Sequence, residues 1–164
     1  MKYKFHGEIM RHDLDRTDLR VLRELQQDGR LPIIELANRI SLSPTACQRR
    51  VKKLEDSGVI AGYAAQLDPA ALDQQVEAFV QVSIERQSRE TSLAFQDAVR
   101  RLPQVRACYV MTGDLDYLLH VAVADLQAFA EFSMKVLIGL PGVKDVRSSL
   151  VLEAIKKNNG VRAP

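Results

Sequence analysis

Apolar residues recur at helical spacing through the first 60 positions and then change to alternation. Leu19, Leu22 and Leu25, with Val21 beside them, predict one face of a helix. "LDRTDL" (14–19) reads as its start. Asp15 suits a cap, Asp18 puts negative charge in the first turn, and Leu14 with Leu19 suits a hydrophobic staple. Asp28-Gly29 reads as its stop. "IIELANRI" predicts a second short helix after Pro32, a residue suited to a first helical position. "SLS" breaks the pattern. Ser43 then caps a third helix with Pro44 in its first turn, and Ser57-Gly58 ends it. Helix, short turn, helix is the layout of a helix-turn-helix, winged-helix-like module.

From residue 59 the period becomes two. "VIAGYAAQL" reads as a short strand or wing and "DPAALDQQ" as a connector. Then follow "VEAFVQVSIE" (strand), "ETSLAFQDAVRRL" (helix), "QVRACYVMT" and "DYLLHVAVA" (strands), "LQAFAEFSMKVLIGL" (helix) and "VKDVRSSLVLEAI" (strand). This βαββαβ order is that of a ferredoxin-like, ACT-like domain, so the fold class is α+β. Phe95, Val99 and Leu102 line one helix; Phe129, Phe132 and Val136 line the other, which Asp125 caps. The domains expected are an extra N-terminal arm (1–12), a helix-turn-helix (13–60), a strand and linker (61–75), a βαββαβ domain (76–157) and a tail (158–164).

In the first central strand Val76, Ala78, Val80, Val82 and Ile84 form a face suited to packing under helices. Phe79, Cys108, Val110, Leu118 and Ala122 fall on the opposite parity of their strands. An apolar second face with no element left to cover it implies a partner subunit, and a homodimer packed through this domain is expected.

Composition narrows the classes. With 46% apolar and 27% charged residues the chain is ordinary globular protein. No apolar run approaches the roughly 18–20 residues that span a bilayer. The N-terminal "MKYKFHGEIMRH" lacks the apolar core of a signal peptide, so a cytoplasmic location with no membrane partner is expected. Cys47 and Cys108 stand far apart with no Cys/His cluster, which argues against zinc; both read as small core residues in a reducing compartment. Residues 1–60 hold 12 Lys and Arg against 9 Asp and Glu, while residues 61–164 hold 11 against 12. Only the front is basic, which points to a polyanion there.

The third helix carries the candidate chemistry. Cys47, Val51 and Leu54 must face the core, leaving Thr45, Gln48, Arg49 and Lys52 on a polar face with Arg50 and Lys53 at its flanks. A solvated face would interleave acids, yet Glu55 and Asp56 come only in the last turn. Short polar side chains at Ser43 and Thr45, with Pro44 between them, open the helix, Gln48 and Arg49 suit base edges, and Arg50, Lys52 and Lys53 suit phosphates of double-stranded DNA.

"LDRTDLRVLRELQQDGRL", "LSPTACQRRVKKLEDSGVIAGY", "MTGDLDYLLHVAV" and "LPGVKDVRSSLVLEAIK" resemble the Lrp/AsnC (leucine-responsive, feast/famine) transcription regulators, from about residue 13 to 157. The resemblance implies a helix-turn-helix joined to an amino-acid-sensing βαββαβ domain, and dimers assembling into octamers or other rings, in a nucleoid-associated cytoplasmic regulator. Two departures stand out: Ala46 replaces a second proline of the recognition-helix motif, and Pro32 stands where many relatives have a capping Ser or Thr.

The loop "TGDLDY" is either a plain hairpin turn or part of a ligand site. Gly113 permits close approach to backbone N–H groups, while Asp114 and Asp116 offer negative charge to an ammonium. The resemblance assigns effector contacts to Thr112, Gly113, Asp114, Asp116 and Tyr117, with Ser148 from the last strand, at an interface between dimers. Val146, two residues before Ser148, favours an apolar effector such as leucine or methionine. His120 has no second ligand at metal spacing and reads as a structural or interface histidine. No cofactor, metal or catalytic constellation is expected. Besides an amino-acid-responsive DNA-binding regulator, two other readings remain open: an architectural DNA-wrapping protein without an effector, and a small βαββαβ enzyme or regulatory subunit.

Overall fold

The computed structural model describes residues 13–85 and 88–156, which divide into two units, residues 13–66 and 67–156. The arm and tail expected at the termini lie outside the described residues.

The first unit is built from α1 (Arg16–Gln27), α2 (Ile33–Ile40) and α3 (Pro44–Asp56). Asp15 caps α1 by accepting from the Asp18 N–H at 2.8 Å, and Asp18 accepts in return from the Asp15 N–H at 3.2 Å. This reciprocal box satisfies two donors that a helix start leaves open. The inward stripe of α1 runs through Asp18, Val21, Leu22 and Leu25, with Leu14 beside it; Leu19 lies outside the core. Pro32 occupies the cap position with extended ψ of 142°, one residue before the expected first helical position. Ser41 breaks the chain at φ 59°, and the Ser43 hydroxyl accepts from the Ala46 N–H at 3.3 Å to open α3. Val21, Leu36, Ala37, Ile40, Cys47, Val51 and Leu54 form the buried core.

No strand forms over "VIAGYAAQL". Residues 61–68 are exposed and form no regular element, since a strand needs an edge to pair with and these residues pair with none among those described. What ties this segment is a side chain: the Tyr63 hydroxyl donates to Glu55 at 2.9 Å while its ring lies against Gly29.

The second unit has β1 (Val76–Ile84), α4 (Arg89–Arg100), β2 (Val105–Val110), β3 (Tyr117–Val123), α5 (Leu126–Glu131) and β4 (Val143–Leu150). The four strands are antiparallel in the order β2-β3-β1-β4. Ala78, Val80, Val82, Leu119 and Val121 pack with Phe95, Val99, Phe132 and Leu137 into one core. After α5 the chain widens into a π-type turn over Phe132–Leu137, in which the Ile138 N–H reaches the Ser133 carbonyl. That extra residue per turn buries Leu137 completely and leaves Val136, the expected core residue, only half-buried. β4 ends at Leu150, earlier than expected; Leu152 and Ile155 beyond it are 98% and 86% exposed.

The register corrects the expected second face. A bulge between Val105 and Ala107 shifts the parity of β2, so that Cys108 and Val110 pair with Leu119 and Tyr117. Directly paired residues share a face, and Leu119 and Tyr117 are in the core under the helices. Cys108 and Val110 therefore belong to the helix side, exposed at an edge strand that the helices leave partly open. Cys108 is accordingly no core residue, although Cys47 is fully buried. The outer face instead carries Phe79, Tyr109, Leu118, His120 and Ala122.

Candidate nucleic-acid and effector sites

The nucleic-acid candidate is α3. Its inner side, Cys47, Val51 and Leu54, is buried, which fixes the rotation of the helix about its axis. Thr45, Gln48, Arg49, Lys52 and Lys53 are then turned to solvent. Ser43 and Pro44 sit at the N-terminal end, with Ser43 spending its hydroxyl on the cap. Glu55 is drawn to Tyr63 and does not screen the basic face.

Arg50 departs from its expected role. Its guanidinium donates to Asp15 at 2.6 Å and to Asp18 at 2.7 Å. These acids raise the Arg50 pKa, Asp15 first, and the Asp15 carboxyl lies below its ordinary value through the Asp18 N–H and then Arg50. A guanidinium so engaged fastens α3 to the first turn of α1. Position 50 is three residues after Cys47 and four before Leu54, so the helical spacing alone placed it beside the core. Arg39 plays a similar part, bridging Glu24 and Glu35 between α1 and α2.

The effector candidates separate into two groups. Thr112, Gly113 and Asp114 are exposed in the turn joining β2 to β3, with Gly113 at φ 101°, a conformation that favours glycine. Asp116 and Tyr117 are held within the fold. The Asp116 carboxylate accepts from the Ile84 N–H at 2.9 Å, tying the turn to the end of β1. Tyr117 is buried, its ring 4.4 Å from that of Phe95 and its hydroxyl accepting from Gln96 at 3.3 Å. Its alternation with Leu119, Val121 and Val123 was the signal for a core position.

Ser148 is exposed on β4 and stands opposite Val80, which stands opposite Leu119. Two strand spacings and two residues along the strand separate it from Tyr117, roughly 12 Å between Cα atoms. The turn and Ser148 of one chain are therefore not brought together. Among the described residues, no group of three or more His, Cys, Asp or Glu is placed to hold a metal ion, and no helix is long and apolar enough to cross a membrane.

Comparison with known proteins bears on both sites. Residues 14–61 match the winged helix-turn-helix DNA-binding family and residues 77–161 the Lrp/AsnC ligand-binding domain family. The chain is 42% identical over 147 residues to the leucine-responsive regulatory protein of Klebsiella pneumoniae, covering 90% of each chain. A transcriptional regulator of Neisseria meningitidis, solved in complex with L-Met, superposes with a TM-score of 0.86 at 41% identity, covering 90% of this chain and 96% of that one. An AsnC-family transcriptional regulator from Agrobacterium tumefaciens gives 0.84 at 37% identity, covering 90% and 95%.

Proposed function

The chain belongs to the Lrp/AsnC family of transcription regulators, which are not enzymes, and from that premise we propose how its two units divide the work. The first unit reads DNA through α3: Thr45, Gln48 and Arg49 meet base edges, Lys52 and Lys53 meet phosphates, and Ser43 and Pro44 set the approach of the helix end. The observation that carries this reading is the exposed Thr45-Gln48-Arg49-Lys52 face directly opposite the buried Cys47-Val51-Leu54 face. Arg50 leaves the contact set and becomes the clamp that holds α3.

The second unit binds a small apolar amino acid, leucine or methionine. Thr112, Gly113 and Asp114 take its charged groups, and Ser148 comes from a neighbouring dimer, because the Ser148 of the same chain is too distant. Val146, which shares the helix-side parity of Ser148, supports an apolar side chain, as does the L-Met bound by the Neisseria relative. Two copies pair through the outer sheet face, where Phe79 is 42% and Tyr109 55% exposed. Two ion pairs lie on this face, Arg106 with Glu77 and Arg147 with Asp145, so closing two such faces does not strand these charges. Dimers then assemble into an octamer or another ring, and the protein is nucleoid-associated.

The test is genome-wide DNA capture with and without each amino acid, alongside calorimetric titration of all twenty. Enrichment of defined sequences that changes with one apolar amino acid is expected. Sequence-independent capture unaffected by any of them would leave an architectural DNA-wrapping protein.

A further inference from the structure

The outer sheet face holds a polar cluster around His120 beside its apolar residues. His120 Nε2 lies 3.2 Å from Glu77 Oε2, and the imidazole stacks on Phe79 with ring centroids 4.9 Å apart. The other Glu77 oxygen accepts from Arg106 at 3.0 Å, and Arg106 also donates to Gln74 at 2.7 Å. The bulge in β2 brings Arg106 here, 29 residues from Glu77 in sequence. We propose that this His120-Glu77-Arg106 group makes assembly through the outer sheet face proton-sensitive, the pairing of two copies weakening as His120 becomes charged. The inference rests on that face being the dimer interface.

Charge matching decides the sign. With a neutral imidazole, its Nε2–H donates to Glu77, whose negative charge Arg106 already neutralises. Protonation adds a positive charge beside Glu77, a carboxylate that Arg106 already shares. Around His120, β1 presents Glu77 and Gln81, β2 presents Arg106 and Tyr109, and β4 presents Arg147 already paired with Asp145 at 3.0 Å. In a single chain water still reaches the cluster, the His120 and Glu77 side chains being 24% and 16% exposed. Covering the face removes that water and confines one extra charge per copy, which disfavours the charged imidazole. The assembled state therefore binds the proton more weakly than the free chain, and by linkage falling pH favours dissociation. An imidazole ordinarily changes charge between about pH 5 and 8, which sets the range the experiment spans.

The experiment is sedimentation equilibrium of the full chain at about pH 8 and about pH 5.5 at constant ionic strength, for wild type, His120→Gln and Phe79→Asp. By linkage the wild-type dimer Kd should rise at the lower pH. His120→Gln keeps a donor for Glu77 without titrating, and its Kd should stay level. A histidine titration by NMR provides a readout that needs no variant: the His120 midpoint should fall as protein concentration rises through the dimer Kd. A wild-type Kd that is unchanged or tighter at low pH overturns the proposal. So does an equal shift in His120→Gln, which would assign the effect to His6, His12 or a carboxylate. Phe79→Asp as associated as wild type, or a wild type monomeric at both pH values, removes the interface reading itself, a result distinct from these.

Discussion

Arg50 and Asp18, 32 positions apart in sequence, meet at 2.7 Å with Asp18 only 1% exposed. The residue that looked like a phosphate contact is thus the strut between α1 and α3, while its neighbour Arg49 points to solvent. Removing one partner of a buried ion pair leaves the other charge unmatched, which costs about 3–5 kcal/mol when both are fully buried. Arg50 is 30% exposed at its side chain, so water recovers part of that. Arg50→Ala should destabilise the first unit by about 2–3 kcal/mol, and Arg49→Ala by under about 0.5 kcal/mol. Chemical denaturation of both variants checks this, and DNA titrations separate their roles. Arg49→Ala should lose roughly 1–3 kcal/mol of discrimination between operator and random DNA. An unchanged ratio would take Arg49 out of base reading.

Asp15 gives the same junction an acid dependence. The Asp18 N–H, and after it Arg50, hold its carboxyl below the ordinary value of 3.8. A carboxyl depressed on folding adds stability that is complete above its unfolded value and is lost as pH falls through its folded value. Asp15→Asn should therefore be less stable than wild type at neutral pH, and the gap should close below about pH 4. Thermal melts of both proteins across that range measure it. A constant gap would mean that the cap works through shape alone.

The helix-turn-helix and the βαββαβ order were legible because both periodicities are long and capped in familiar ways: Asp15, Ser43 and Asp125 each accept the N–H of the residue three ahead. What escaped were features in which one residue more or less changes a face. The bulge at Val105–Ala107 moved Cys108 and Val110 to the helix side, and nothing in "QVRACYV" marks it. The π-type turn passed the core position from Val136 to Leu137. Asp116 gave no sequence signal either, since its partner is a backbone N–H at Ile84, 32 residues earlier. Arg50 and Tyr117 lie on the inward spacing of their own elements, and that spacing accounts for their contacts with Asp18 and Phe95.

Lys52 and Lys53 are exposed, and among the described residues neither forms an ion pair. Each phosphate neutralised releases counterions, which makes the logarithm of affinity fall with the logarithm of salt at a slope of about 0.9 per contact. Lys52→Ala and Lys53→Ala should each flatten that slope by about 1 while weakening operator and random DNA alike. Fluorescence anisotropy at several salt concentrations gives the slopes. A slope kept by both variants would place the phosphate contacts on another surface.

The β2–β3 turn allows the effector site to be separated from the scaffold beneath it. Asp114→Ala removes the exposed carboxylate expected at the ammonium, and Gly113→Val forces a branched side chain into φ 101° at the point of backbone approach. Both should abolish calorimetric binding of leucine and methionine and leave basal DNA affinity intact, because α3 belongs to the other unit. Tyr117→Phe removes only the hydroxyl that accepts from Gln96 and keeps the ring against Phe95. It should cost about 0.5–1.5 kcal/mol of stability and keep full effector binding. Asp116→Asn retains a carbonyl oxygen for the Ile84 N–H and should also bind. Ser148→Ala should weaken binding only where dimers associate, so its effect should diminish in samples diluted until sedimentation shows free dimers. Loss of binding in Tyr117→Phe, with wild-type affinity in Asp114→Ala, would place the amino acid under the turn and not upon it.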